Sequence, residues 1–224
     1  MKYHIDTGLI IQKFQEDHEC PLCAIQSIVE DQFLHEYLND AVMEDSSRKT
    51  VNELGFCERH FLKLFERPNK LSVALQTQTR TDYILKNLST VNNERSAKKQ
   101  AKKIEALLST CTVCSLTEKS MVRYYKTIAQ MFVKEKEFMK MLMTSKGFCL
   151  KHYSELLKYV SYAGFAKNEY ASVLYNLEIK NIKRIKEDIS LYCDKHDYRN
   201  ANKPLGSATT ALPRMKEKLY GKDQ

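Results

Sequence analysis

Two pairs of short words decide the reading of this chain: "CPLC" at 20–23 with "GFCERH" at 55–60, and "CTVC" at 111–114 with "GFCLKH" at 147–152. Cys23 and Cys57 are separated by 33 residues, Cys114 and Cys149 by 34. Agreement at four metal-type residues, at Gly-Phe and in the spacer length is hard to obtain by accident, and it points to an internal duplication, roughly 1–69 and 92–165. Each repeat offers three thiols and one imidazole: Cys20, Cys23, Cys57 and His60 in the first, Cys111, Cys114, Cys149 and His152 in the second.

The spacer sets the fold expected around these words. A continuous helix of 33 residues runs about 50 Å and carries its ends apart. If one ion holds both ends, the spacer doubles back as a helical hairpin, out over about 24–39 and back to about 54. Gly55 and Gly147 then stand where a left-handed residue commonly closes a helix. A helix opening at the third Cys places Cys57 with His60, and Cys149 with His152, at i and i+3 on one face. In the second repeat Met131, Phe132, Phe138, Met141 and Leu142 supply an apolar stripe for the returning arm.

Around the repeats, 69–89 reads as a helix, 91–110 as a polar, basic connector that becomes helical toward its end, and 168–192 as a long amphipathic helix. Residues 200–209 read as a turn-rich loop and "ALPRMKEKLYG" as a short last helix. With 6 Gly, 4 Pro and no Trp in 224 residues, breakers are scarce, and an all-α protein is expected, divided into helical units at 1–90 and 91–224.

Zinc takes three thiolates and an imidazole tetrahedrally, and four protein ligands mark a closed, structural site. Two zinc ions per chain are therefore expected, with iron–sulfur clusters, which His completes less often, as the less favoured alternative. Buried cysteines packing as small hydrophobes, or C-x2-C dithiol redox pairs, are the plainer readings; the repeated spacing argues against the first and the lack of a βαβ pattern against the second. Cys193 and His196 copy half the motif without a C-x2-C partner, and are read as a helix-end and a surface residue. His4 and His35 lack motif context. His18 lies two residues before Cys20, close enough to contact the site, although a solvated His is the plainer reading.

The formal charge of +8 falls to +6 when each site contributes three thiolates and one divalent ion. Acidic partners are favoured. Arg95, Lys98, Lys99, Lys102 and Lys103 suit phosphate contacts, or form a solvated face. No phosphate-binding Gly loop, H-E-x-x-H or nucleophile triad is present, which weakens an enzyme reading. The expected role is a protein- or nucleic-acid-binding module; the alternative is a thiol switch that releases its ion on oxidation. No apolar run approaches the length of a bilayer span and no signal sequence is seen, so a cytoplasmic protein without membrane partners is expected.

"MKYHIDT", "CPLC", the two GFCxxH words and the ending "DYRN…KPLGS…ALPR" together resemble a family of small bacterial proteins, largely from Gram-positive anaerobes, known as a domain of unknown function. The resemblance covers residue 1 to about 215. It implies a cytoplasmic, mainly helical protein with paired Cys/His sites, and it leaves Cys193 and His196 outside the fixed pattern.

Overall fold

A computed structural model describes residues 7–195 and 204–222. His4 and His196 lie outside the described residues, as do parts of the terminal motifs. Among the described residues all regular structure is helical. The α-helices are α1 (Gly8–Gln15), α2 (Pro21–Leu38), α3 (Asp45–Leu54), α4 (Glu58–Phe65), α5 (Lys70–Asn87), α6 (Glu94–Leu108), α7 (Thr112–Lys134), α8 (Lys136–Thr144), α9 (Leu150–Lys158), α10 (Lys167–Asp194) and α11 (Ala211–Tyr220). The helices expected at 69–89, 168–192 and the C-terminal end are α5, α10 and α11. The connector is helical along most of its length, as α6.

Two compact units divide the chain. One comprises 1–27 and 121–224, the other 28–120, so the chain passes between them within α2 and within α7. This is not the division at residue 90 expected from the repeats. Helix length gives the physical reason. α2 has 18 residues, about 27 Å, whereas α3, the returning arm, has 10, about 15 Å. In the second repeat α7 has 23 residues and α8 has 9. α3 and α8 are too short to retrace α2 and α7 to the C-x2-C words at which those helices start.

The first unit packs Phe14 edge-on against Phe138 (5.2 Å between centroids) and Phe148 (6.1 Å), with Phe132 against Tyr170. Of the stripe expected on the returning arm, Phe138 and Leu142 are buried on α8, whereas Met131 and Phe132 are buried on the outgoing α7, which runs on to Lys134. The second unit gathers Leu34, Leu38, Leu64, Val73 and Val113, with Tyr37, Ala41 and Val51 beside Phe56. α6 is the least covered helix, with Gln100 its one buried residue, and its start depends on a capping box between Asn93 and Ser96.

Candidate metal centres

The cysteine words come together across the repeats. Cys20 and Cys23 meet Cys149 and His152 in the first unit; Cys57 and His60 meet Cys111 and Cys114 in the second. The eight expected ligands all lie in two Cys3His clusters, but the expected partition, one ion per repeat, is corrected: each cluster takes the C-x2-C of one repeat and the GFCxxH of the other.

Local structure aims the ligands similarly in both clusters. Cys57 and Cys149 occupy the N-cap positions of α4 and α9, with extended backbone, and His60 and His152 lie one turn in. Cys20 and Cys111 immediately precede α2 and α7, and Cys23 and Cys114 fall in their first turns. Gly55 closes α3 at φ 65° as expected. α8 instead ends at Thr144, so Gly147, at φ 77°, belongs to the loop beyond it.

In the first unit His152 Nδ1 lies 3.4 Å from Cys20 Sγ, 3.4 Å from Cys23 Sγ and 3.2 Å from Cys149 Sγ, and the Cys23 and Cys149 sulfurs are 3.7 Å apart. In the second, His60 Nδ1 lies 3.3 Å from Cys57 Sγ, 3.2 Å from Cys111 Sγ and 3.3 Å from Cys114 Sγ, with Cys57 and Cys114 3.9 Å apart. A tetrahedral ion with bonds of about 2.3 Å to sulfur and about 2.0 Å to nitrogen has edges of ~3.8 Å between sulfurs and ~3.5 Å from sulfur to nitrogen. The donor sets fit such an ion.

The other ring nitrogens fix the histidines. His152 Nε2 donates to Gln26 Oε1 at 2.8 Å, and His60 Nε2 faces Glu30 Oε2 at 3.2 Å. The Gln26 carbonyl leaves His152 Nδ1 facing the sulfurs as the lone-pair atom, and His60 Nε2 lies beside both the Glu30 carboxylate and Arg59 Nη2, 2.9 Å away. Glu30 is buried, and Arg59 (2.9 Å) and Lys63 (2.5 Å) also hold it. Although burial opposes ionisation, hydrogen bonds from His60 and Lys63 hold this carboxyl at about 2.

Close packing also sets the thiols of each cluster apart in acidity. Hydrogen bonds from Cys20 and Cys23 hold Cys149 far below the ordinary thiol range. The donors suffer in turn: Cys23 is pushed up to about 12, chiefly by its bond to Cys149, and burial drives Cys20 upward. In the second unit burial opposes ionisation of Cys111, yet His60 and the backbone N–H groups of Cys114 and Cys57 bring it to about 6. Burial and the neighbouring thiolates push Cys114 up to about 12. Within each cluster one thiol is thus lowered, Cys149 or Cys111, while a neighbour, Cys23 or Cys114, is raised.

A cation from a further helix ties the ligand loops of each unit. In the first, Lys218 of α11 is 1% exposed and donates to Glu19 O (2.9 Å), Phe148 O (3.1 Å) and Lys146 O, linking the segments that carry Cys20 and Cys149. In the second, Arg80 of α5 donates to Glu53 O (3.0 Å), Asn52 O and Leu107 O (3.2 Å). There the loops also bond directly: Thr112 N–H donates to Gly55 O at 2.9 Å, and the Thr110 hydroxyl to Leu54 O at 2.7 Å. Pro21 stands where Thr112 does and has no N–H to give. Gly221 lets the chain after α11 approach Cys23 closely, a Cβ there lying 3.4 Å from its sulfur.

None of Gln26, Glu30, Arg59, Arg80 and Lys218 is singled out by the cysteine pattern, although Gln26 and Glu30 lie four residues apart just after "CPLC". Cys193 is exposed, and neither it, His18 nor His35 joins a cluster. His18 pairs with Glu16 at 2.8 Å. Among the described residues no helix is long and apolar enough to cross a membrane.

No solved structure matches the chain. It is 26% identical over 195 residues to the "Uncharacterized 23.9 kDa protein in xynA 3'region" of Caldicellulosiruptor sp. (strain Rt8B.4), an alignment that covers 85% of this chain and 88% of that protein. A match over residues 1–224 gives the family itself: the chain belongs to DUF6062, a family of unknown function.

Proposed function

We propose that this is a non-catalytic zinc protein whose two Cys3His sites brace helical units that serve as a binding module. The observation that carries the reading is the complete set of four protein donors at each cluster, spaced for a tetrahedral ion. A catalytic zinc keeps one position open, and four side-chain donors leave none. When bound, zinc supplies structural cross-linking; the chain's part is to hold Nδ1 inward through Gln26 and Glu30, and to lock the ligand loops through Lys218 and Arg80. Iron is disfavoured by the histidine in each set. Elemental analysis of protein purified without added metal, with a visible spectrum, tests this: two colourless zinc ions per chain are expected, and iron with a coloured cluster, or no metal in folded protein, overturns it.

The partner face we assign is α6. Arg95, Lys98, Lys99, Lys102 and Lys103 are exposed on it against two acids, Glu94 and Glu105. Such a helix suits a nucleic-acid backbone or an acidic protein surface in the cell interior. Neutralising the four lysines to Gln is expected to weaken binding to mixed-sequence nucleic acid and flatten its salt dependence. Absence of binding at low salt rules out nucleic acid and leaves the protein partner. A second reading, a thiol switch, is favoured by one observation: Cys57 and Cys114 are only partly buried.

A further inference from the structure

The two clusters differ in what shields their sulfurs. In the first unit Cys20, Cys23 and Cys149 are 5%, 4% and 0% exposed, and the chain after α11 closes over Cys23, whose sulfur accepts from the Lys222 backbone N–H. In the second, Cys57 and Cys114 are half-buried, neighbours at 3.9 Å, and on the same side as the exposed Arg59, whose guanidinium donates to Cys114. A cleft of about 370 Å³ reaches Cys57 past Phe56, Phe61, Ile84 and Leu108, with Glu58 and Arg80 also on its wall. The cleft beside Cys20 and Cys23 is smaller, about 230 Å³, and charged groups such as Asp17, Lys146 and Lys222 line it.

We propose that the Cys57–Cys114 edge is a modification site for hydroperoxides, and that its oxidation frees the ion of the second unit while the first unit keeps its own. The inference rests on the zinc reading above. One thiolate attacks the peroxide O–O bond, forming a sulfenic acid and expelling hydroxide or alkoxide. The other thiolate then attacks that sulfur, forming the Cys57–Cys114 disulfide and expelling the second oxygen as water. Two thiolates lose two electrons in all, the peroxide gains them with two protons, and the donor set falls from four to two. Arg59 holds positive charge where the hydroxide leaves. The sulfurs need to close from 3.9 Å to about 2 Å to form the bond.

The test follows zinc release from the full-length protein with a chromogenic chelator, under hydrogen peroxide and separately under cumene hydroperoxide, with differential alkylation and mass spectrometry of the cysteines. Expected is one zinc per chain released at least tenfold faster than the second, with Cys57 and Cys114 oxidised first. Faster release by cumene hydroperoxide identifies organic peroxides entering through the cleft beside Cys57 as the source; equal or faster release by hydrogen peroxide identifies the small oxidant. Loss of both ions at one rate, or prior oxidation of Cys20, Cys23 or Cys149, overturns the proposal and leaves the zinc reading intact. Protein that carries no zinc before treatment overturns both.

Discussion

Lys218 shows what one residue can hold. Its ammonium is taken fully from water, yet three backbone carbonyls and Glu178, 4.0 Å away, compensate it. Burial pushes its pKa down, and the nearby carboxylates pull the other way. Replacing it by Met keeps the stem and removes the charge, leaving the carbonyls without their donor and the buried Glu178 with the Phe148 N–H but no nearby cation. Lys218→Met is expected to cost about 3–5 kcal/mol, read from urea unfolding, and to speed loss of one zinc to a chelator. Gly147 is constrained twice over. Its φ is +77°, and a Cβ would lie 2.9 Å from Glu178 Oε2 and 3.3 Å from Lys218 Nζ. Gly164 shares a positive φ, +58°, but nothing lies within 4 Å of a Cβ there. Gly147→Ala should therefore destabilise by about 2–4 kcal/mol and Gly164→Ala by about 1, strain alone being left in the second case. Equal losses in the same denaturation series would show that the close approach to Glu178 contributes nothing.

Among the elements, α6 and α11 depend on interactions that packing does not duplicate. α6 buries little, so its first turn leans on the Asn93 side chain, which accepts from Ser96 N–H at 2.9 Å, and on the Ser96 hydroxyl, which accepts from Asn93 N–H at 3.1 Å. Asn93→Ala is expected to cost about 1 kcal/mol and to raise amide exchange in α6 ahead of α5. α11 is tied to α10 by Arg214, which donates to Asp188 at 2.6 Å, and Ser207 donates to the same carboxylate at 2.8 Å. Arg214 and Ser207 hold the Asp188 carboxyl below the ordinary aspartate range. A depressed folded-state pKa adds stability above the unfolded value of about 3.9, which is lost as pH falls through the folded value. The gap in urea midpoint between wild type and Asp188→Asn should accordingly hold from pH 7 to about 4 and shrink below it; a gap that stays constant down to pH 3 would show that the ion pair contributes nothing.

For the molecule as a whole, the ligand types were legible and their partition was not. Residue type and spacing picked out all eight residues that gather in the two clusters, because thiol and imidazole chemistry is written in single letters. Which C-x2-C meets which GFCxxH depends on helix length, and α3 and α8 end where Gly55 and Ser145 leave helical geometry, a boundary that repeat spacing does not reveal. Lys218 and Arg80 were illegible for a related reason: a cation that caps loop carbonyls from a distant helix leaves no local pattern. The crossed partition makes a prediction that cutting the chain can decide. Residues 91–224 carry a C-x2-C and a GFCxxH in the right order, but Cys111 and Cys114 belong to one cluster and Cys149 and His152 to the other. Residues 28–120 contain Cys57, His60, Cys111 and Cys114, together with Glu30, Arg59 and Arg80 and most of the apolar cluster around Leu34 and Leu64. The fragment 28–120 should therefore fold with one zinc, and 91–224 should hold none tightly, since metal affinity and folding are one free energy in a small site. Zinc content and circular dichroism of the two purified fragments are the measurements. One zinc in 91–224 with none in 28–120 would restore a site within each repeat and refute the crossed arrangement.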